Sequence, residues 1–235
     1  MNSVPIDSPD NEAFCHWVFE SAILLPTLRE RPGVIVLANK KTYKTLFCRY
    51  FRISDEKIKY SLNRLAAFPF RLIDNPIRKE YPLLLQTFFT KFSSSVIPDV
   101  DFVVMPRQRK ENYIPNDRAC PLTPFLDVFK TSGRTHRLVH TDDITDLQTQ
   151  INLVNSGRNL VVVDGSAFLV NGMFCSGKHI YVISCDLIEN QSKVYPMMKL
   201  IYEQIKQKNT VTFIRASQLH EIVLKQDVPS EVVNN

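Results

Sequence analysis

The sequence predicts an α/β fold, a parallel sheet with helices on both faces. Three observations carry this. Short β-type runs, mostly apolar, recur in the second half of the chain at 102–105, 137–140, 160–163, 180–183 and 211–214, as strands buried on both faces do. Stretches of helical periodicity separate them, and strands alternating with helices build parallel sheets. The third is Leu160-Val161-Val162-Val163-Asp164-Gly165-Ser166, where an apolar run breaks at Asp-Gly-Ser and a second run follows at 180–183. That interval is long enough for a crossover between parallel neighbours.

Taken in order, residues 1–10 are polar with two prolines and read as a loose arm. From Asn11 the pattern is helical, with Phe14, Trp17, Val18, Ser21, Ala22 and Leu25 on one face and Pro26 near its end. Pro32-Gly33 punctuates before a strand at 34–37. Residues 41–51 form a basic amphipathic helix with Tyr43, Leu46, Phe47 and Tyr50 inside. Short strands are expected near 57–60 and 71–73, then a helix from Pro82 to 92. The run Ser93-Ser94-Ser95 divides an N-terminal domain, 1–94, from a C-terminal one, 95–235. After the strand at 102–105 come a charged loop, 106–121, and a helix, 124–131, ended by Gly133. The strand at 137–140 precedes a helix capped by Asp143, with Ile144, Leu147, Ile151 and Val154 inside and Gly157 ending it. Beyond 183 lie a helix near 196–207, the strand at 211–214, a helix from Ser217 and a frayed tail from Pro229.

Composition narrows the class. With 44% hydrophobic and 23% charged residues over 235 positions, the chain is globular and has enough length to bury a core. No apolar run approaches a membrane span, and the first residues lack a signal-peptide pattern. Five cysteines, odd in number and without CxxC, fit free thiols in a reducing compartment, so the expected location is cytoplasmic. A net charge of +5 suits phosphate-bearing ligands or association with an acidic membrane surface. There is no Lys/Arg stripe with interleaved aromatics, so no nucleic-acid partner is expected.

Ligands of such sheets sit outside the carboxyl ends of the strands. Arg107 and Arg109 follow the strand at 102–105 and alternate, so an extended loop turns both one way, and guanidinium groups bind phosphate oxygens in a planar fork. At Asp164-Gly165-Ser166, Gly165 allows a positive φ or close ligand approach, Ser166 suits an N-cap, and the following amides can hold an anion. The plainer alternatives are a solvated basic loop and a serine that only caps its helix. Together the two features point to a diphosphate site. His140-Thr141-Asp142-Asp143 reads most simply as a helix cap. His16 and Glu20, one helical turn apart, suit a base and its orienting carboxylate; His16 as a core residue beside Trp17 is the other reading. Asp99-Val100-Asp101 precedes its strand and so lies at the wrong sheet edge for a metal. His136 and His140 alternate along a strand and are expected to face the core. No P-loop or GxSxG elbow is present.

Three of these features, in order, resemble glycosyltransferase family 61 over residues 12–185. They are His16-Trp17-x-x-Glu20, then Val104-Met105-Pro106-Arg107-Gln108-Arg109 with Asn116, then Gln150 (or Gln148) ahead of Gly165-Ser166-Ala167, Asn171 and Phe174. The resemblance implies two facing Rossmann-like domains of GT-B type and a nucleotide-sugar donor in the second. It also implies inverting transfer to a glycan or other hydroxyl acceptor, with no metal and no cofactor. Carried over, it makes His16 and Glu20 catalytic. Arg107, Arg109, Gly165, Ser166, Ala167 and Asn171 become the donor- and diphosphate-binding residues. The chain departs from the pattern in having fifteen residues before His16, so the first domain looks trimmed, and in Asp164 and Val170, where the family often has His and Thr. A binding module without turnover is the rival expectation.

Overall fold

The computed structural model describes residues 3–6, 14–61, 80–106, 126–141, 144–184 and 196–225. The arm at the start is not loose throughout. Ser3–Pro5 forms strand β1, parallel to β2 (Val34–Leu37), with Ser3 opposite Val34 and Pro5 opposite Val36. A proline is tolerated because, among the described residues, β1 is an edge of the sheet β1-β2-β3, where one side of the strand needs no ladder donor. β3 (Ile58–Tyr60) pairs parallel on the far side of β2. The strand expected at 71–73 lies outside the described residues.

The first helical stretch is two helices. α1 (Phe14–Glu20) stops before Ser21, a 3-10 turn spans Ala22–Leu24, and α2 (Leu25–Glu30) begins with Pro26 in its first turn. Pro26 thus opens a helix and does not close one, since a missing N–H costs nothing at that position. α3 (Thr42–Tyr50) buries Phe47 as expected, together with Lys44 and Cys48. α4 (Tyr81–Phe89) follows.

The second half is one five-stranded parallel sheet. β4 (Val100–Met105), β5 (His136–Leu138), β6 (Gly157–Val163), β7 (His179–Ile183) and β8 (Thr210–Ile214) lie in the order β5-β4-β6-β7-β8. Side chains alternate between two cores. Val103, Met105, Leu160, Val162, Ile180 and Val182 face one cluster with α6 (Leu147–Asn155), α7 (Ser166–Phe174) and α8 (Pro196–Lys208). Phe102, Val104, Val161, Val163, Tyr181 and Ile183 face the other with α5 (Asp127–Thr131) and α9 (Leu219–Lys225). Helices therefore cover both faces, as the alternation of the sequence requires. Counted from β4, the order is 2-1-3-4-5, one of the two common doubly wound arrangements.

Local caps differ from expectation by a few residues. Asp146 caps α6, its Oδ2 accepting from the Thr149 amide at 2.7 Å; Asp143 lies outside the described residues. Gly157 does not end that helix but starts β6. A Cβ there would stand 2.7 Å from the Val103 nitrogen, so the glycine lets β6 close on β4. Gly165, and not Ser166, holds the N-cap position of α7.

The helices of the first half pack onto those of the second. α1 lies against α7, α3 against α6 and α4 against α8, and their apolar residues belong to the same buried cluster. Covered on both sides, α7 buries every residue from Phe168 to Phe174, which is why its sequence is apolar all round. The serine run between the sheets is fastened to α6: Gln148 Nε2 donates to the Ser93 carbonyl and Ser94 Oγ to Asn152 Oδ1. No helix among the described residues is long and apolar enough to cross a membrane.

Candidate functional site

The strand order fixes where a site belongs. From β4 the chain goes first to β5 and then back across β4 to β6, so the direction of winding reverses between β4 and β6. Loops leaving the carboxyl ends of two such strands diverge and leave a crevice between them. Here Met105 is in register with Val162, which sets Pro106 on one side of the crevice and Asp164-Gly165 on the other.

Gly165 makes the second wall. Its φ of +96° and ψ of −144° are open only to glycine, and a Cβ built on it would meet nothing within 4 Å among the described residues. Ser166, exposed, is the first residue of α7 and makes no side-chain cap. The first ladder bond runs from the Leu169 amide to the Gly165 carbonyl at 3.0 Å. The amides of Ser166, Ala167 and Phe168 precede it and are the helix-terminal donors an anion would use. The Gly165 amide is already engaged, donating to Asp164 Oδ1 at 2.5 Å.

Two features beside this turn carry no motif. Val139 donates to the Val104 carbonyl, so His140, two residues past β5, lies alongside the end of β4; its Nδ1 is buried with no hydrogen-bond partner among the described residues. On the β8 side, Phe168, Tyr202 and the exposed Phe213 form an aromatic trio with centroids 5.7–6.2 Å apart. Burial raises the Tyr202 phenol above its ordinary range, and the charges of Glu203 and Asp164 add to this, so the trio stands close to the Asp164 turn. The sequence marks His140 only as the first residue of a helix cap, and nothing local announces the aromatic trio, because strand order brings each to the crevice.

The residues expected to act divide into three groups. Gly165, Ser166 and Ala167 lie at the crevice. Arg107, Arg109 and Asn116 lie outside the described residues, which reach the crevice at Pro106. Asn171 is interior: its Oδ1 accepts from Gln150 Nε2 at 2.7 Å and its Nδ2 donates to the Ala167 carbonyl at 2.7 Å. His16 and Glu20 are both on α1, with Glu20 half-buried near Cys15 and Tyr81, where its charge helps raise both of their pKa values. Trp17 between them is fully buried, edge-on to Tyr43 and Phe47.

The discounted groups are structural. Asp99 is paired with Arg137 at 2.9 Å, which holds its carboxyl below the usual range. Asp101 accepts from the Thr135 amide and hydroxyl at 3.0 Å, at the amino end of β4. His136 stacks on Phe129. Among the described residues no three His, Cys, Asp or Glu side chains are grouped to hold a metal ion.

No family model and no curated protein matches the chain. The resemblance to glycosyltransferase family 61 rests on the quoted motifs alone.

Proposed function

We propose that the chain binds a nucleoside diphosphate at the β4–β6 crevice and transfers an attached sugar to a hydroxyl acceptor. One observation supports the binding half above all: the winding reverses where a glycine-only turn opens into α7; in the sequence, Arg107 and Arg109 follow closely on Pro106. In this reading residues 1–94 and 95–235 act as two facing domains, with the acceptor on the first. The acceptor oxygen attacks the anomeric carbon as the bond to the diphosphate breaks. The leaving oxygens keep the electron pair and are neutralised by the two guanidinium groups and the α7 amides. Glu20, or His16 oriented by it, takes the acceptor's proton. The chemistry of transfer rests on the family resemblance, and the expected donor binding needs no divalent metal.

A second reading, a binding module without turnover, draws on two observations. Asn171 and Gln150 satisfy each other inside the protein, and the helices of both halves share one apolar cluster, which restrains any domain closure. Titration with UDP, GDP and their sugars, with and without chelator, tests both. Diphosphate binding that survives chelation, with hydrolysis or transfer of the sugar, is the expected result. Binding without turnover selects the second reading, and no nucleotide binding at millimolar concentration overturns both.

A further inference from the structure

A pocket of about 220 Å³ opens between α3 and β3, at the outer edge of the three-stranded sheet and away from the β4–β6 crevice. Thr45 stands one turn of α3 from both Cys48 and Arg49, and the three share the face that lines it, with Lys40, Asp55, Ile58 and Tyr60 around them. Neither Lys40 nor Arg49 has an ion-pair partner among the described residues, although both line the same cavity. Lys40 sits two residues before α3, and that helix begins without a side-chain cap. Tyr60 is 45% exposed and lines the pocket together with Thr45. Cys48 forms the floor. Burial, then the charge of Asp55, pushes its thiol up to about 12, so at neutral pH it is protonated and no nucleophile.

We propose that this pocket is a binding site for a small organic phosphate, separate from the nucleotide crevice and independent of the glycosyl-transfer reading. The phosphate lies between Lys40 and Arg49, and the hydroxylated body of the ligand lies against Tyr60 with Asp55 accepting a hydroxyl. A phosphate monoester, close to doubly charged at neutral pH, answers two cations at once, whereas a carboxylate answers one. With its only thiol protonated, the pocket holds the ligand and does not react with it.

Calorimetric titration of the full chain at low salt with glucose 6-phosphate, inorganic phosphate and glucose tests this. Glucose 6-phosphate should bind, inorganic phosphate more weakly, and glucose not at all. Lys40→Ala and Arg49→Ala should each weaken glucose 6-phosphate binding at least tenfold, with an unchanged melting temperature because both side chains are exposed. Arg49→Lys should recover only part of the loss, since an ammonium lacks the planar fork. UDP binding in these variants should equal that of the wild type, which separates this pocket from the crevice. Absence of glucose 6-phosphate binding, or binding that both alanine variants leave intact, overturns the proposal.

Discussion

Three glycines of the C-terminal half do different work, and substitution by alanine separates them. At Gly157 the added Cβ meets Val103 backbone, which cannot yield without parting β6 from β4. At Gly172 it meets side chain only, the Cδ1 and Cγ2 of Ile205 at 3.1 and 3.2 Å, which need to shift by a few tenths of an ångström. At Gly165 the Cβ meets nothing among the described residues, and the cost is the positive φ itself. Gly157→Ala and Gly165→Ala should each lose about 1–3 kcal/mol by urea unfolding, the first from overpacking and the second from backbone strain, and Gly172→Ala clearly less. Equal losses at Gly157 and Gly172 would contradict this. Asn171 carries the sharper question, because resemblance gives it to the donor and the structure gives it to Gln150. Asn171→Ala should cost about 1–3 kcal/mol by leaving Gln150 unpaired while sparing diphosphate affinity per folded molecule. A variant with native stability and lost UDP binding would return Asn171 to the site.

Between elements, the junction of α6, α7 and β6 depends on a lysine whose importance its sequence context conceals. Lys178 is buried, and its Nζ donates to the carbonyls of Asn155 and Gly157 at 2.8 and 2.5 Å. It closes the carboxyl end of α6, where unpaired carbonyls and the helix dipole both favour a cation. Asn155 extends the same clamp by donating to Phe174 O, and Asn209 by donating to Cys175 O. Lys178→Met, which keeps the aliphatic length, should cost about 1–3 kcal/mol for each carbonyl left unpaired, read as a lowered urea midpoint. Asp146→Ala should cost about 1 kcal/mol at the other end of α6; no change there would mean that Asp142 or Asp143 can replace it. The sequence offers three aspartates ahead of this helix and does not say which one is spaced to reach the third amide. Pro26 was ambiguous for a similar reason, since a proline marks either the start of one helix or the end of another until the break at Ser21 is seen.

For the molecule as a whole, the central strands β4, β6 and β7 are legible because burial on both faces leaves an apolar run, and the helices because their apolar faces repeat; the edge strands β5 and β8 are partly exposed and carry polar residues. What could not be read was order. The crevice exists only because β6 returns beside β4, and His140, Tyr202 and Phe213 approach it from strands and helices distant in sequence. Strand β1 leaves no mark in the sequence, because a three-residue strand containing proline has no periodicity to show. The wholly buried thiols, by contrast, lead from sequence to a property of the entire fold. Cys15, Cys48 and Cys175 are all free and buried, and burial raises each from 9.0 to about 12; Tyr81 is raised by the same cause. A raised thiol pKa means that the unfolded chain loses its proton first. The stability this supports is therefore complete below pH 9 and is lost as pH climbs from 9 towards 12, at up to about 1.4 kcal/mol per pH unit for each thiol. Lys178 and Lys208, lowered by burial, act with the opposite sign between their lowered values and 10.5, and they offset only part of the loss. Urea midpoints measured at pH 8, 9.5 and 10.5 should fall steadily. In Cys175→Ala the fall should be shallower by one thiol's share, even though the variant starts lower at pH 8 for want of the buried sulfur. Stability that stays flat from pH 8 to 10.5, or a Cys175→Ala slope equal to that of the wild type, would show that these thiols ionise within the folded protein and that the core around α7 admits water.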